Sequence, residues 1–270
     1  MPVSPTDFSF PSLVTTLRSA GCVFAEDEAE LLFAVARDAD ELAVMADRRV
    51  AGMPLEHLLG WAEFLGTRMA VDPGVFVPRR RTEFLVECAV ALAPPSAVVV
   101  DLCCGSGALG AAVVRALGGG ELHSADIEPT AVRCARRNVG AVGGRVYEGD
   151  LYDPLPAALM GRVDVLVVNA PYVPTAEIEF LPSEARDHEP RVALDGGADG
   201  LDIQRRVSAG AARWLAPGGV LLVETSERQA PRTVAAFADQ GLCPRVAVDE
   251  ELEATVVIGT RPVQRDPARI

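Results

Sequence analysis

The alternation of short apolar runs with helical patterns, which begins near residue 97, constrains the fold of this chain more than any other feature. Strand-like runs lie at 98–102, 121–127, 145–148, 163–168 and 220–224, and helical patterns at 108–117, 130–139, 201–215 and 230–240 separate most of them. Strands and helices that alternate in this way form a parallel sheet with helices on both faces. Two closing runs, 243–248 and 254–260, predict an antiparallel pair. The expected fold class is therefore α/β, with a seven-stranded mixed sheet.

The first third of the chain is organised differently. Residues 8–50 carry apolar side chains at helical spacing among charged neighbours, which predicts a small helical bundle. Short apolar pieces at 61–66, 69–71 and 75–77 are separated by glycine and proline and predict a hairpin-like connector. We therefore expect an N-terminal helical domain at 1–55, a hairpin linker at 56–81 and a main domain at 82–270.

The composition weighs against several classes of protein. The net charge of −13 makes nucleic acid a poor partner, because phosphate contacts need positive charge. The chain contains no lysine, which excludes a Schiff-base lysine and the usual P-loop lysine. No apolar stretch approaches the ~20 residues that cross a membrane. The six cysteines show neither metal-ligand spacing nor a disulfide framework, so we expect a reduced, cytoplasmic protein without a metal site.

A glycine-rich loop follows the first predicted strand of the sheet. Residues 105–110, GSGALG, match G-x-G-x-x-G between a strand and a helix, where glycine lets the backbone approach a ligand. Asp126 ends the next strand, where a carboxylate can accept hydrogen bonds from both hydroxyls of a ribose. These features indicate a nucleoside site, and they fit a dinucleotide and S-adenosylmethionine about equally.

Two further acidic residues favour S-adenosylmethionine. Asp101 closes the strand before the loop, and a wider, partly acidic loop suits a cationic sulfonium with an α-amino group better than a pyrophosphate. Asp150 follows the strand at 145–148 and is placed to reach an adenine amino group. Cys103 and Cys104 lie in the same loop, and we interpret them as small packing residues.

A second motif, Asn169-Ala170-Pro171-Tyr172, follows the apolar run at 163–168. The ligand crevice of an open α/β sheet lies outside the carboxyl ends of its strands, so both motifs are expected at one crevice. An amide, a rigid proline and a tyrosine form a small polar clamp with one flat aromatic wall, which suits a planar, nitrogen-bearing group. Together the two motifs predict methyl transfer from S-adenosylmethionine to nitrogen.

Several longer segments resemble the HemK/PrmC family of protein-(glutamine-N(5)) methyltransferases. The connector carries PLEHLLGWAEF at 54–64 and VFVPR at 75–79, followed by Thr82-Glu83. The NAPY motif is similar to the family's N-P-P-Y signature, which DNA and RNA amino-methyltransferases share. The run at 184–201, with E-P-R, A-L-D-G-G and D-G-L, is much more specific for this family.

The resemblance implies a Rossmann-like S-adenosylmethionine-dependent methyltransferase fold, preceded by a helical domain that docks the substrate. The usual substrate of the family is the glutamine of the Gly-Gly-Gln loop in peptide-chain release factors. We expect the catalytic residues to be Asn169, Ala170, Pro171 and Tyr172. We expect the cofactor to be held by Asp101, Cys103, Cys104, Gly105, Ser106, Gly107, Asp126, Ile127, Asp150, Leu151 and Asn169.

The chain departs from the family pattern at a few positions. Ala170 replaces the first proline of the signature, Arg80-Arg81 replaces a Pro-Glu pair, and Cys103 stands where glycine is common. Leu151 stands where some members carry tryptophan. The alternatives are a DNA or RNA amino-methyltransferase, a paralogue that binds S-adenosylmethionine without turnover, and an NAD-dependent oxidoreductase. The last of these gives no role to Asn169–Tyr172.

Overall fold

The computed structural model describes residues 9–263, and its centre is a seven-stranded sheet. The strands are β1 Trp61–Phe64, β2 Thr67–Ala70, β3 Val98–Leu102, β4 Glu121–Asp126, β5 Arg145–Glu148, β6 Val163–Val168, β7 Leu215–Thr225, β8 Cys243–Asp249 and β9 Ala254–Thr260. The sheet has the order β5-β4-β3-β6-β7-β9-β8. Its first five strands are parallel, and β9 runs antiparallel to both neighbours. The predicted α/β fold with a seven-stranded mixed sheet is confirmed.

Helices cover both faces of this sheet. The α-helices are α1 Phe10–Ser19, α2 Ala25–Val35, α3 Ala39–Val50, α4 Leu55–Leu59, α5 Glu83–Leu92, α6 Ala108–Ala116, α7 Pro129–Gly140, α8 Ser183–His188, α9 Asp202–Trp214 and α10 Ala230–Asp239. Short 3₁₀ helices lie at Arg80–Thr82, Ala157–Leu159, Thr175–Phe180 and Arg191–Ala193. Helices α5, α6 and α7 pack on one face of the sheet, and α9 and α10 pack on the other. The result is the three-layer arrangement that βα alternation predicts.

The position of the ligand crevice follows from the strand order. From β3 the chain builds outward through β4 to β5 and then returns to β6, on the other side of β3. In the β3–β6 register Leu102 lies beside Val168, so the loops that follow these two residues start side by side. A crevice at the carboxyl ends of strands, where the order reverses, is the usual ligand site of this architecture.

The helical bundle predicted near the N-terminus is present. Helices α1 to α4 enclose a small apolar core of their own, in which Leu13, Leu17 and Leu32 are fully buried. Part of the 8–50 prediction, and the outer ends of the 1–55 and 82–270 domains, lie outside the described residues. The three domain boundaries stay predictions. Among the described helices, none is long and apolar enough to cross a membrane.

The connector differs from the predicted one in its last piece. Strands β1 and β2 form the expected antiparallel hairpin. Residues 75–77 form no strand, although Val75 and Val77 are fully buried. Side chains satisfy their backbone instead: His57 Nε2 lies 2.8 Å from the Val75 carbonyl oxygen, and the Val77 N–H donates to Glu189 Oε1 at 3.0 Å. Val75 and Val77 are therefore buried in a segment whose backbone is paired outside any strand ladder.

Most predicted boundaries in the main domain lie within one residue of the observed ones, but β7 begins at Leu215, five residues before the predicted run at 220–224. The strand at 121–127 ends at Asp126, and Ile127 is 53% exposed beyond it. The helix at 201–215 ends at Trp214, and Leu215 already begins β7. Element ends are decided by local hydrogen bonding rather than by apolar periodicity, so errors of about one residue are expected.

Arg49 connects the helical bundle to the segment that follows the NAPY motif. Its guanidinium, on α3, donates from Nε and Nη2 to both carboxylate oxygens of Glu28 on α2, at 2.6 and 3.0 Å. Its Nη1 donates to Glu184 Oε1 on α8, at 2.5 Å. The Arg49 and Glu28 side chains are only 10% and 11% exposed, so little solvent screens this pair.

Replacing Arg49 by alanine is expected to lower the free energy of unfolding by about 3 kcal/mol, because Glu28 would stay buried without its partner. Arg48→Ala is the matched control, since Arg48 is the preceding residue and is exposed. It should change stability by about 0.5 kcal/mol or less. Urea denaturation followed by circular dichroism measures both variants, and equal losses would contradict the assigned role of Arg49.

Candidate active site

A cavity of about 450 Å³ opens at the carboxyl ends of β3, β4 and β6. It is closed on one side by the connector and on the other by the segment around α8. The sequence-predicted site residues in its wall are Asp101, Cys103, Cys104, Gly105, Ser106, Asp126, Ile127, Asp150, Leu151, Asn169, Ala170, Pro171 and Tyr172. The fold therefore brings both motifs to one cavity.

Gly107 is the predicted site residue that does not line this cavity. It is the residue before α6, and its φ of 76° lies in the left-handed region that favours glycine. A Cβ on Gly107 would lie 2.6 Å from Val139 Cγ2 and 3.1 Å from Ala135 Cβ. The packing of the loop against α7 needs glycine at this position, and the cofactor contact of Gly107 stays a prediction.

Asp126 organises the loop that it faces. Its Oδ2 accepts a hydrogen bond from the Gly105 N–H at 2.8 Å, and its Oδ1 accepts one from the Glu128 N–H at 2.9 Å. Burial raises the pKa of this carboxyl. Each carboxylate oxygen can accept more than one hydrogen bond, so the group that fixes the loop also keeps acceptor capacity toward the cavity.

Asp101 is the most deeply buried ionisable group of the site. It is fully buried at the end of β3, and its Oδ2 accepts from the Gly110 N–H of α6 at 2.9 Å. Its Oδ1 has no hydrogen-bond partner in the described part of the chain. Burial raises the pKa of Asp101 to about 7. A buried carboxylate oxygen without a partner, in a cavity wall, fits a cationic group of a ligand.

The two cysteines of the loop act as neutral wall residues. Burial raises the pKa of the Cys103 and Cys104 thiols, so both stay protonated near neutral pH. The φ of Cys103 is 55°, in the left-handed region where a side chain is strained. This geometry explains why glycine is common at this position in the family that the chain resembles.

One carboxylate oxygen of Asp150 is already paired with an arginine, which the sequence does not indicate. Its Oδ2 accepts from Nη2 of Arg206, on α9, at 2.6 Å. Arg206 also lines the cavity, although it is not among the predicted site residues. The residues around Arg206 in the sequence do not indicate a role in the site, because its partner Asp150 is 56 positions away. One carboxylate oxygen of Asp150 stays available for the predicted adenine contact.

The NAPY motif forms the other half of the cavity. Asn169 Nδ2 donates to Thr82 Oγ1 at 3.4 Å, an orientation that leaves Oδ1 as the acceptor toward the cavity. Ala170 is 1% exposed, and Pro171 is buried beside it. The Tyr172 hydroxyl accepts from Arg81 Nη2 at 2.6 Å and donates to Glu224 Oε1 at 3.3 Å. Arg81 and Glu224 were not predicted as site residues.

The three consecutive arginines of the connector differ in their surroundings. Arg79 and Arg81 line the cavity, whereas Arg80 is exposed. Arg79 Nη2 donates to Glu189 Oε1 at 2.7 Å, and the Glu189 side chain is fully buried. Glu189 opens the E-P-R motif, so the role of this motif is to hold the connector against the cavity.

The glycine-rich part of the same segment packs on the backbone of the NAPY motif. The Val173 N–H donates to the Leu194 carbonyl, and the Gly196 N–H donates to the Val173 carbonyl. A Cβ on Gly196 would lie 2.7 Å from the Pro171 carbonyl oxygen. A Cβ on Gly200 would lie 2.2 Å from the Tyr172 carbonyl oxygen. Glycine at 196 and 200 therefore allows this segment to pack closely against the backbone of the NAPY motif.

Gly200→Ala is expected to lower the free energy of unfolding by roughly 2 kcal/mol or more, because strain at a φ of 76° adds to the overlap with the Tyr172 carbonyl. Gly140→Ala is the matched control, since a Cβ there meets nothing within 4 Å and φ is not in the left-handed region. It should leave stability unchanged or raise it by up to about 1 kcal/mol. Equal effects in thermal unfolding would contradict the role of Gly200 in this close packing.

Comparison with known proteins identifies the family of this chain. The model of the methyltransferase small domain family matches residues 67–181. The release factor glutamine methyltransferase of Geobacter sulfurreducens is 38% identical, over 82% of this chain and 79% of the relative. The 4-amino-L-phenylalanine/4-methylamino-L-phenylalanine methyltransferase of Streptomyces pristinaespiralis is 37% identical, over 72% of this chain and 68% of that protein.

A solved structure supports the fold. A methyltransferase from Pyrococcus furiosus superposes with a TM-score of 0.56, over 74% of this chain and 91% of that one, at 14% sequence identity. Such a likeness establishes the Rossmann-like architecture and nothing about the substrate. The identity and coverage of the bacterial relatives decide the family: this chain belongs to the release factor glutamine methyltransferases.

Proposed function

We propose that this protein transfers a methyl group from S-adenosylmethionine to the side-chain amide nitrogen of a glutamine in the Gly-Gly-Gln loop of a peptide-chain release factor. One observation carries the proposal. The NAPY motif and the glycine-containing loop after β3 line one cavity. The relatives named for this activity support the same reaction and the same class of protein substrate. The predicted cytoplasmic location belongs to the proposal, since release factors act in protein synthesis.

The residues of the loop after β3 fit the cofactor. S-adenosylmethionine supplies an electrophilic methyl group on its sulfonium. Asp101 presents a buried carboxylate oxygen without a partner in the described residues, which suits the α-ammonium group. Asp126 offers acceptors for the ribose hydroxyls, and the free oxygen of Asp150 is placed for the adenine amino group. The neutral thiols of Cys103 and Cys104 add packing surface without a competing charge.

The NAPY residues are suited to orienting a weak nucleophile. An amide nitrogen reacts poorly because its lone pair is delocalised into the carbonyl. Asn169 Oδ1 and the Ala170 carbonyl oxygen would each accept one hydrogen from the substrate NH₂ group and aim the nitrogen at the methyl group. Position 170 contributes only its backbone carbonyl oxygen to this contact, so alanine can replace proline there. Holding reactants in attack geometry can supply ~7–11 kcal/mol of the barrier, so no strong base is required.

Cofactor affinity should depend on pH through Asp101. With a raised pKa of about 7, most of this carboxyl is protonated at pH 6.0 and most is ionised at pH 7.5. Only the ionised form attracts an ammonium group, so affinity for S-adenosylmethionine should rise roughly eightfold over this interval. In Asp101→Asn the dependence should disappear. Titration calorimetry measures both proteins, and an equal pH dependence in the two would exclude Asp101 as the cause.

The function is tested by transfer of labelled methyl from S-adenosylmethionine to a purified release factor. Wild type should label the glutamine of the Gly-Gly-Gln loop, and a release factor with alanine in place of that glutamine should stay unlabelled. Asn169→Ala should lower the rate by about 100-fold, because one positioned hydrogen-bond acceptor is lost. Absence of label, in a protein that binds the cofactor, would overturn the proposal.

A second candidate acceptor follows from the relative in Streptomyces pristinaespiralis, whose name describes methylation of 4-amino-L-phenylalanine. An aromatic amine is also planar and nitrogen-bearing, so the same clamp suits it. 4-Amino-L-phenylalanine therefore belongs in the transfer assay as a competing acceptor. A nucleic-acid acceptor is not favoured, because neither the net charge of −13 nor the family supports it.

A further inference from the structure

Arg81 joins three elements at the acceptor end of the cavity. It lies in the 3₁₀ helix of the connector, Arg80–Thr82. Its Nε donates to Glu224 Oε1, at the end of β7, at 3.1 Å. Its Nη2 donates to the Tyr172 hydroxyl, after β6, at 2.6 Å, and this hydroxyl donates to the same Glu224 oxygen at 3.3 Å. The three side chains form a closed ring of hydrogen bonds.

The burial of Glu224 makes this ring necessary. The Glu224 side chain is 2% exposed, and its Oε2 has no hydrogen-bond partner among residues 9–263. Within the same residues Arg81 is the basic group that pairs with it. A carboxylate this deep needs a nearby opposite charge, because desolvation of an isolated ion is costly. Arg81 is 45% exposed and reaches Glu224 from the cavity side.

The same contacts restrain Tyr172. A tyrosine at the rim of a cavity can turn about its side-chain torsions unless its hydroxyl is held. Here the hydroxyl is held from the connector and from β7, while Gln229 Nε2 donates to the Tyr172 carbonyl oxygen at 2.9 Å. Both ends of the residue are therefore fixed, and the ring stands as a rigid wall of the cavity.

We propose that Arg81 is a positioning residue for the acceptor: by tying the Tyr172 hydroxyl to buried Glu224, it sets the aromatic wall against which the planar acceptor group lies. The inference rests on the proposed function for the identity of the acceptor. Arg81 itself touches neither the methyl group nor the nitrogen that receives it. Its influence passes through the Tyr172 ring.

Position 81 differs in charge from the family pattern that this chain resembles. The family pattern has Pro-Glu where this chain has Arg80-Arg81. A glutamate at 81 would replace the positive partner of buried Glu224 by a second negative charge. Like charges repel, so such a residue cannot hold Tyr172 by the present ring. The arrangement of the acceptor wall is therefore specific to the arginine.

The first test does not depend on methyl transfer. The chain has three tyrosines, so selective ¹³C labelling of tyrosine rings gives a simple NMR spectrum. In Arg81→Gln the Tyr172 ring signals should shift and broaden, while those of Tyr147 and Tyr152 stay in place. Arg80→Gln is the matched control, since Arg80 is exposed and lies outside the cavity wall. Unchanged Tyr172 signals in Arg81→Gln would overturn the proposal.

The second test is kinetic and uses the acceptor that the transfer assay identifies. Arg81→Gln and Tyr172→Phe should each lower kcat/KM for the acceptor by about tenfold, with an unchanged Kd for S-adenosylmethionine. The double variant should have the same kcat/KM as either single variant, because each substitution removes the same hydrogen bond between Arg81 and the Tyr172 hydroxyl. Additive losses would contradict action through Tyr172.

A third variant separates positioning from folding. Arg81→Gln combined with Glu224→Gln replaces the ion pair by two neutral amides, so the thermal unfolding temperature should return close to that of wild type. The value of kcat/KM should stay low, because the guanidinium that holds Tyr172 is still missing. Recovery of both quantities would assign Arg81 a purely structural role. If wild type methylates no acceptor, the proposed function fails, and the NMR result alone decides whether Arg81 positions Tyr172.

Discussion

The parallel pairing of β3 with β6 is the interaction on which the rest of the site depends. It places Leu102 beside Val168, so the glycine-rich loop after β3 and the NAPY loop begin at neighbouring points of one sheet edge. Both strands are buried on both faces, which fixes their register through packing as well as hydrogen bonds. Because the strand order reverses here, the two loops diverge and leave a cavity.

Three buried carboxylates lie in the cavity wall or directly behind it, and each has one oxygen without a hydrogen-bond partner in the described residues. They are Asp101, Glu189 and Glu224. Two of them are held by arginines of the connector, at 2.7 and 3.1 Å, whereas Asp101 has only a backbone N–H. Buried acceptors left open in this way cost stability, and proteins keep them mainly at functional sites. The one without a basic partner faces the cofactor half, where a cation is expected.

The connector and the segment after NAPY are joined by direct contacts. Glu189 accepts from Arg79 and from the Val77 backbone, and Gly196 and Gly200 let the same segment pack on Pro171 and Tyr172. Arg49 extends this arrangement to the helical bundle through Glu184. The helical bundle, the connector and the catalytic loop therefore form one contiguous set of polar contacts.

The sequence alone determined the α/β fold, the strand set and the place of both motifs at one sheet edge. Apolar runs define strands, and parallel strands end at a common edge, so no tertiary information was needed for these. Only the tertiary structure decided the partners of the arginines: Arg79 meets Glu189 across 110 positions, and Arg81 meets Glu224 across 143. It also showed that Gly107 serves packing and that residues 75–77 are buried without a strand. Periodicity reports which side of an element faces the core, but a contact between distant side chains depends on how the elements pack together.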